Sequence, residues 1–294
     1  MSTINHAILE AAYTNFRGDF EAGRLAAAPQ SDRLSMKVKS VTAEETYAWL
    51  GAFSGLREWL GDRNLNGLTV SGFTIKNRDF ENTVTVSRND IDDDRIGVLA
   101  GAFKMLGETA ALHPDELIFD LIRNGSTRLC YDNRPFFSAA HPLDPMEPEN
   151  GTVSNADLTA PDDTPSWILF DTSKVIKPFI FQTRRDYGFI RKDRPEDDNA
   201  FMRNEFIYGV DARVSAGYGL WQLAYGSNKA LTAANFAAAR ASMMNLKSPA
   251  DRPLGIKPNI LMVAPGKEED ALKLLNLDTS HYKGTAELIV SPWL

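Results

Sequence analysis

"FENTVTVSRNDIDDDRIG", residues 80–97, decides how the chain is read. From Phe80 to Ser87 apolar and hydroxyl residues alternate, with Phe80, Val84 and Val86 on one parity and Thr83, Thr85 and Ser87 on the other. A period of two marks a half-buried strand. Upstream, "LTVSGFTIKN" (68–77) reads as a second strand, and "NRD" supplies turn residues between the two. The expectation is a long two-stranded ribbon, which alone in water is marginal and needs something to lie against. Downstream, Asn89 and Asp90 offer caps, and Asp92, Asp93 and Asp94 place negative charge in the expected first turn of a helix, where it suits the dipole.

That helix is the longest element expected. "RIGVLAGAFKMLGETAALHPDELIFDLIRNG" carries apolar residues at 96, 99, 103 and 106, then at 112, 117, 118, 121 and 122. Pro114 should kink or restart it, with Asp115 and Glu116 as new first-turn acids, and Gly125 should stop it. Toward the N-terminus, Ile4, Ile8, Ala12 and Phe16 predict a short amphipathic helix, followed by an extended arm over "EAGRLAAAPQSDRLS" (21–35). Thr42 and Glu45 form a capping-box pair that predicts a short helix in 42–53. The stretch 131–165, rich in Pro, Asp and Asn, reads as a long surface excursion. Strands are expected at 167–171, 177–185 and 204–226, with a charged loop at 192–200. A helix after Ala230, a strand at 258–264, a helix at 267–276 and a closing strand "AELIVSPWL" complete a mixed α+β chain.

With 294 residues and 43% hydrophobic content, the chain can bury the core of one elaborate domain or two lobes. Lys and Arg number 32 against 39 Asp and Glu, and a net charge of −7 argues against a surface built to grip phosphates. The single cysteine, Cys130, forbids an internal disulfide and any Cys-rich metal site. The opening "MSTINHAILEAAYTNFRGDF" has no basic leader with an apolar core, and no apolar run approaches the roughly eighteen residues of a membrane span. A soluble product of a reducing cytosol is the expectation.

Candidate chemistry is thin. Cys130, Asp132 and His141 lie close in sequence and support, as the alternative reading, a cytosolic thiol-dependent hydrolase using Cys130 and His141 under a lid of long loops. The bland reading is a small buried thiol and a histidine on a Pro-rich loop. Counting from Asp90, the glycine and the final glutamate of a calcium loop would fall on Arg95 and Gly101, so that match fails. "GYGLWQ" (217–222) has Gln where a dinucleotide loop needs its third glycine, and glycines in a strand mark close backbone approach. Histidines 6, 113, 141 and 281 share no ligand spacing. "RRDYGFIRKDR" (184–194) is diluted by acids and suits salt bridges better than nucleic acid. No catalytic, metal or cofactor site is expected.

The order of parts nevertheless resembles a known architecture. The segments that carry the likeness are "TYAWLGAFSGLREWLGDR" (46–63), residues 80–97, "HPDELIFDLIRNG" (113–125), "CYDNRPFF" (130–137) with "HP" (141–142), "KPFIFQTRR" (177–185), "GYGLWQLA" (217–224) and "RPLGIKPNILMVAP" (252–265). Together they resemble the Mu-type major head proteins of tailed bacteriophages and Mu-like prophages, which have the HK97-like fold. The resemblance implies an N-terminal arm over 1–40, the start of a peripheral domain over 41–55 and an extended loop over 56–90. It implies a spine helix and peripheral domain over 91–164, a mostly axial domain with interleaved peripheral strands over 165–276, and a C-terminal strand over 277–294.

By the same resemblance the chain forms hexamers and pentamers of an icosahedral shell, assembled in the bacterial cytoplasm as part of the virion. Its implied partners are copies of itself, portal and scaffold proteins and a decoration protein; it encloses double-stranded DNA without reading sequence and meets no membrane. The ribbon would lie over an adjoining subunit, through Phe80, Val84 and Val86. Asp92, Asp93 and Asp94 would meet Arg57, Arg63 or Arg78 of a ribbon arriving from next door.

Overall fold

The computed structural model describes residues 5–47, 50, 72–93, 95–144, 151–248, 251–276 and 280–294. Its longest helix, α4 (Ile96–Arg123), runs unbroken through Pro114 and ends at Arg123, two residues before Gly125. The expected restart at Pro114 does not occur. Asp115 stays inside the helix and accepts the backbone N–H groups of Gln30 and Ser31 at 2.9 and 2.8 Å, fixing the short helix α2 (Ser31–Leu34).

Against α4 lies α1 (His6–Ala26), begun by Asn5, whose side chain accepts the Ile8 N–H. Leu9, Ala12, Phe16, Phe20 and Gly23 recur at three- and four-residue spacing and are buried, giving one apolar face. The helices touch backbone to backbone. A Cβ added to Gly23 would stand 2.0 Å from the Lys104 carbonyl oxygen, and one on Gly107 would stand 2.0 Å from that of Phe20. The segment expected as an extended arm is therefore helical as far as Ala26. Its register of apolar residues continues past Phe20, and helical packing on α4 outweighs the flexibility its alanines suggest.

Beneath the helix pair is a four-stranded sheet in the order β1–β9–β10–β4: β1 (Ser35–Lys39), β9 (Phe179–Lys192), β10 (Glu205–Tyr218) and β4 (Arg78–Ser87). Phe16 stacks on Phe103 at 4.1 Å, and Phe20, Phe103 and Tyr208 gather around Phe189. The alternation at 80–87 is a real strand, but its partner differs from the one expected. β4 pairs antiparallel with β10, while β3 (Phe73–Lys76) pairs with β2 (Glu44–Tyr47). β3 and β4 are thus not two legs of one ribbon. Asn77 between them is buried, donates to Ser40 Oγ at 2.8 Å and accepts from Gln182 Nε2 at 2.7 Å.

The predicted helix at 42–53 is also corrected, since its described start is strand β2. Glu45 does bind the backbone N–H groups of Val41 (2.7 Å) and Thr42 (3.1 Å), as a capping residue would, but it closes a turn before a strand. These hydrogen bonds and that of Ser40 hold its carboxyl down at about 2. Asp92 and Asp93 also sit differently from the reading. They end and follow the five-residue helix α3 (Arg88–Asp92), ahead of α4 and outside its first turn.

A second, five-stranded sheet has the order β13–β12–β8–β11–β7: β7 (Ala156–Asp157), β8 (Trp167–Phe170), β11 (Ala224–Ser227), β12 (Ile260–Val263) and β13 (Glu287–Val290). β8 and β12 are buried along their whole length, so they read as continuous apolar runs. Helices α6 (Ala233–Met244) and α7 (Glu268–Asn276) accompany this sheet and contribute Phe236, Met243, Leu274 and Leu275 to its core. The predicted strands and helices of this half are all present. The excursion 131–165 is less superficial than expected: Tyr131, Phe136, Phe137, His141 and Asn155 are buried, and the small hairpin of β5 (His141–Pro142) and β6 (Thr152–Val153) sits within it.

Candidate functional sites: a buried polar cluster and an exposed sheet end

Cys130, Asp132 and His141 do come together. A turn in which Asn133 takes the left-handed conformation (φ 60°) folds Asp132 back beneath the chain. The Cys130 thiol donates to Asp132 Oδ1 at 3.1 Å, and His141 Nδ1 lies 2.6 Å from Oδ2 of the same carboxylate. His141 Nε2 faces Asn155 Oδ1 at 3.2 Å and the Phe136 carbonyl at 3.3 Å, and its ring stacks on Trp221 at 3.9 Å. The side chains of Asp132 and His141 are fully buried.

The order of these groups decides their chemistry. A thiol nucleophile needs the imidazole beside the sulfur and the carboxylate behind the imidazole. Here the carboxylate stands between them. Burial, and then the charge of Asp132, push the Cys130 thiol well above its ordinary range, the opposite of activation. The donor atoms of the three residues fall within 4.8 Å of one another, yet they supply three donors where a closed zinc site takes four, and their hydrogen bonds already satisfy them. The cluster is a brace: it pins the 131–142 loop onto Trp221 beside the base of the β9–β10 hairpin.

The residues expected at subunit contacts divide sharply. Val86 is 1% exposed within the subunit's own core and can reach no neighbour, which corrects that expectation. Its parity faces α1 and α4 because β4 is an integral strand. Phe80 and Val84 are half-buried; Phe80 packs edge-on against His113, and the Arg78 guanidinium lies 5.1 Å from the Phe80 ring centre. Burial holds the His113 imidazole below its usual range, and its Nδ1 meets the Tyr187 hydroxyl at 2.6 Å. Phe80, His113 and Tyr187 line a cleft of about 330 Å³ between β4 and α4. Asp92 and Asp93 are exposed. Arg57, Arg63 and Asp94, with residues 56–71 of the expected extended loop, lie outside the described residues.

The far end of the β9–β10 hairpin holds a feature the sequence reading passed over. Residues 193–204 fold into a fully organised cap around α5 (Asp198–Arg203). Asn199 Nδ2 donates to the carbonyls of Lys192 (3.2 Å) and Glu205 (2.7 Å), bridging both strands. Arg194 and Asp197 exchange backbone and side-chain hydrogen bonds, and Asn204 ends the helix with φ 56°. On this rigid cap Phe201 is 84% and Met202 76% exposed. The available signal was two bulky apolar residues in a loop otherwise made of charges, Asn, Pro and Ala. α3 adjoins the cap, because Arg88 N–H donates to the Asn204 carbonyl at 2.9 Å. Asp92 and Asp93 therefore share this end of the sheet with Phe201.

Comparison with known proteins gives a consistent answer. The family described as Mu-like prophage major head subunit gpT matches residues 9–294. The major capsid protein of Escherichia phage Mu is 36% identical over 303 residues, covering 99% of both chains. A subunit from the procapsid of bacteriophage JBD30 superposes with a TM-score of 0.87 at 36% identity, over 99% of this chain and 100% of that one. A subunit from the JBD30 capsid decorated with minor capsid protein trimers gives 0.74 at 25% identity, over 92% of each.

Proposed function

The chain belongs to the Mu-like prophage major head subunit family, and from that premise we propose that its copies form hexamers and pentamers that close into an icosahedral head. It is a structural capsid subunit with the HK97-like fold, a component of the virion and not an enzyme. The observation that carries the proposal is the match along the whole chain, from the first turn of α1 to the last residue. Identical subunits joined by unlike faces close into rings, and rings of six and five tile a shell.

The shell assembles in the bacterial cytoplasm around a scaffold and a portal, and encloses double-stranded DNA. A net charge of −7 suits that task, since packaged DNA has to slide and should meet few cationic contacts. The relative decorated with minor capsid protein trimers supports a decoration partner for this head as well. The higher TM-score to the procapsid subunit than to the decorated one supports reading the described conformation as that of the precursor shell. Asp92, Asp93 and Arg78, and Arg57, Arg63 and Asp94 with them, remain contacts between neighbouring subunits in this reading.

Electron microscopy of the purified protein tests it. Closed particles with six- and five-fold clusters are expected; a protein that stays monomeric under every assembly condition would contradict it.

A further inference from the structure

We propose that the hairpin-end cap carrying Phe201 and Met202 is a docking surface for another copy of this chain, a proposal that rests on the shell reading above. Two bulky side chains at 84% and 76% exposure are costly to leave in water, and the cap beneath them is held too firmly for them to fold inward. Asn199 ties both strands, Asn204 closes the helix, and Ala200 and Asn199 already fill the inner face. The outward position is built into the backbone.

The rim selects the partner. Glu196, Asp198 and Arg203 on the cap, with Asp92 at the end of the adjoining α3 and Asp93 just after it, are exposed and make no ion pair with any other described residue. A rim carrying unpaired acids and an unpaired arginine around an apolar centre is complementary to a rotated copy of itself. Arg203 of one subunit can face Asp92 or Asp198 of the next while the Phe201 and Met202 side chains meet in the middle. This gives the aspartates a partner at their own end of the sheet. Arg78 lies at the opposite end of the ten-residue strand β4, roughly 30 Å away by strand geometry. The apolar centre also agrees with the anatomy of protein contacts, in which a buried hydrophobic middle is ringed by polar groups.

The test uses the chain's one native thiol as a silent background, because Cys130 is 3% exposed and its thiol is held protonated by burial. The thiol introduced by Met202→Cys is the only one open to maleimide. In the folded, unassembled subunit it should label fast; in shells made of this chain alone it should lose its reactivity, and a short bis-maleimide should link subunits to one another. A folded Met202→Cys subunit that cannot form shells where the parent does would equally support a contact there. Undiminished labelling within intact shells would overturn the proposal and leave the shell reading standing. So would protection that arises only when a minor capsid protein is added, since the occupant would then be a different protein. Failure of the parent chain to form any particle would overturn both.

Discussion

The two ends of the β9–β10 hairpin both carry bulky apolar side chains and treat them in opposite ways. At the root, Phe179, Ile180, Gly217 and Tyr218 are buried, Tyr218 donates its hydroxyl to the Leu121 carbonyl at 2.7 Å, and Phe136 stacks on it at 4.7 Å. At the tip, Phe201 and Met202 stand in solvent on a helix whose Asn199 is tied to both strands. An aromatic ring is core at one end of the ladder and surface at the other. The lesson is a division of labour: root residues set the stability of one subunit, and tip residues set how subunits meet.

The largest expected effect is at the root. A Cβ on Gly217 would stand 2.3 Å from Ile75 Cδ1, and Phe73 closes the other side. Gly217→Val should therefore destabilise the isolated subunit by about 3 kcal/mol, read from its denaturation midpoint. An unchanged midpoint would break the comparison. Next comes the brace beside the root. His141→Ala removes the ring stacked on Trp221 and leaves the buried Asp132 short of one partner, at a cost of about 2 kcal/mol in the same measurement.

Smaller still is the pH response of the turn at 40–45. The Glu45 carboxyl is held at about 2 by the Val41, Ser40 and Thr42 hydrogen bonds, against an ordinary value of 4.5. Its contribution is complete above the higher value and fades as pH falls toward the lower. Between those limits the parent should lose stability faster than Glu45→Gln, and parallel pH curves would contradict this. At the brace itself, Cys130→Ser keeps size and a donor to Asp132 and should shift stability by less than about 1 kcal/mol with assembly unaffected. Loss of assembly from that change alone would mean the brace does more than support the loop.

How much of this was legible in the sequence follows from how local each signal is. The long helix, the strands β8 and β12, and helices α6 and α7 announce themselves by period and by unbroken apolar runs, and all are present. The alternation at 80–87 correctly signalled a strand, yet a period of two says nothing about which strand will pair with it. The neighbour in sequence lost to β10, whose residues 205–214 match β4 along its whole length. Thr42 and Glu45 formed the hydrogen bonds of a cap in a strand-leading turn, because the same donors can be gathered at either kind of corner. The excursion at 131–165 hid its buried half, since Pro, Asp and Asn in quantity mask four core rings among them. The tip was missed because exposure is a property of the folded cap, and no periodicity reports it.

The division of labour is tested most directly by Phe201→Asp, with the subunit's denaturation curve and its yield of fast-sedimenting shells measured on the same preparation. Phe201 touches little of its own subunit, so the curve should move by less than about 0.5 kcal/mol. The shell fraction should collapse, because every subunit in a head repeats the damaged contact. Normal shells from a normally folded Phe201→Asp subunit would contradict the account.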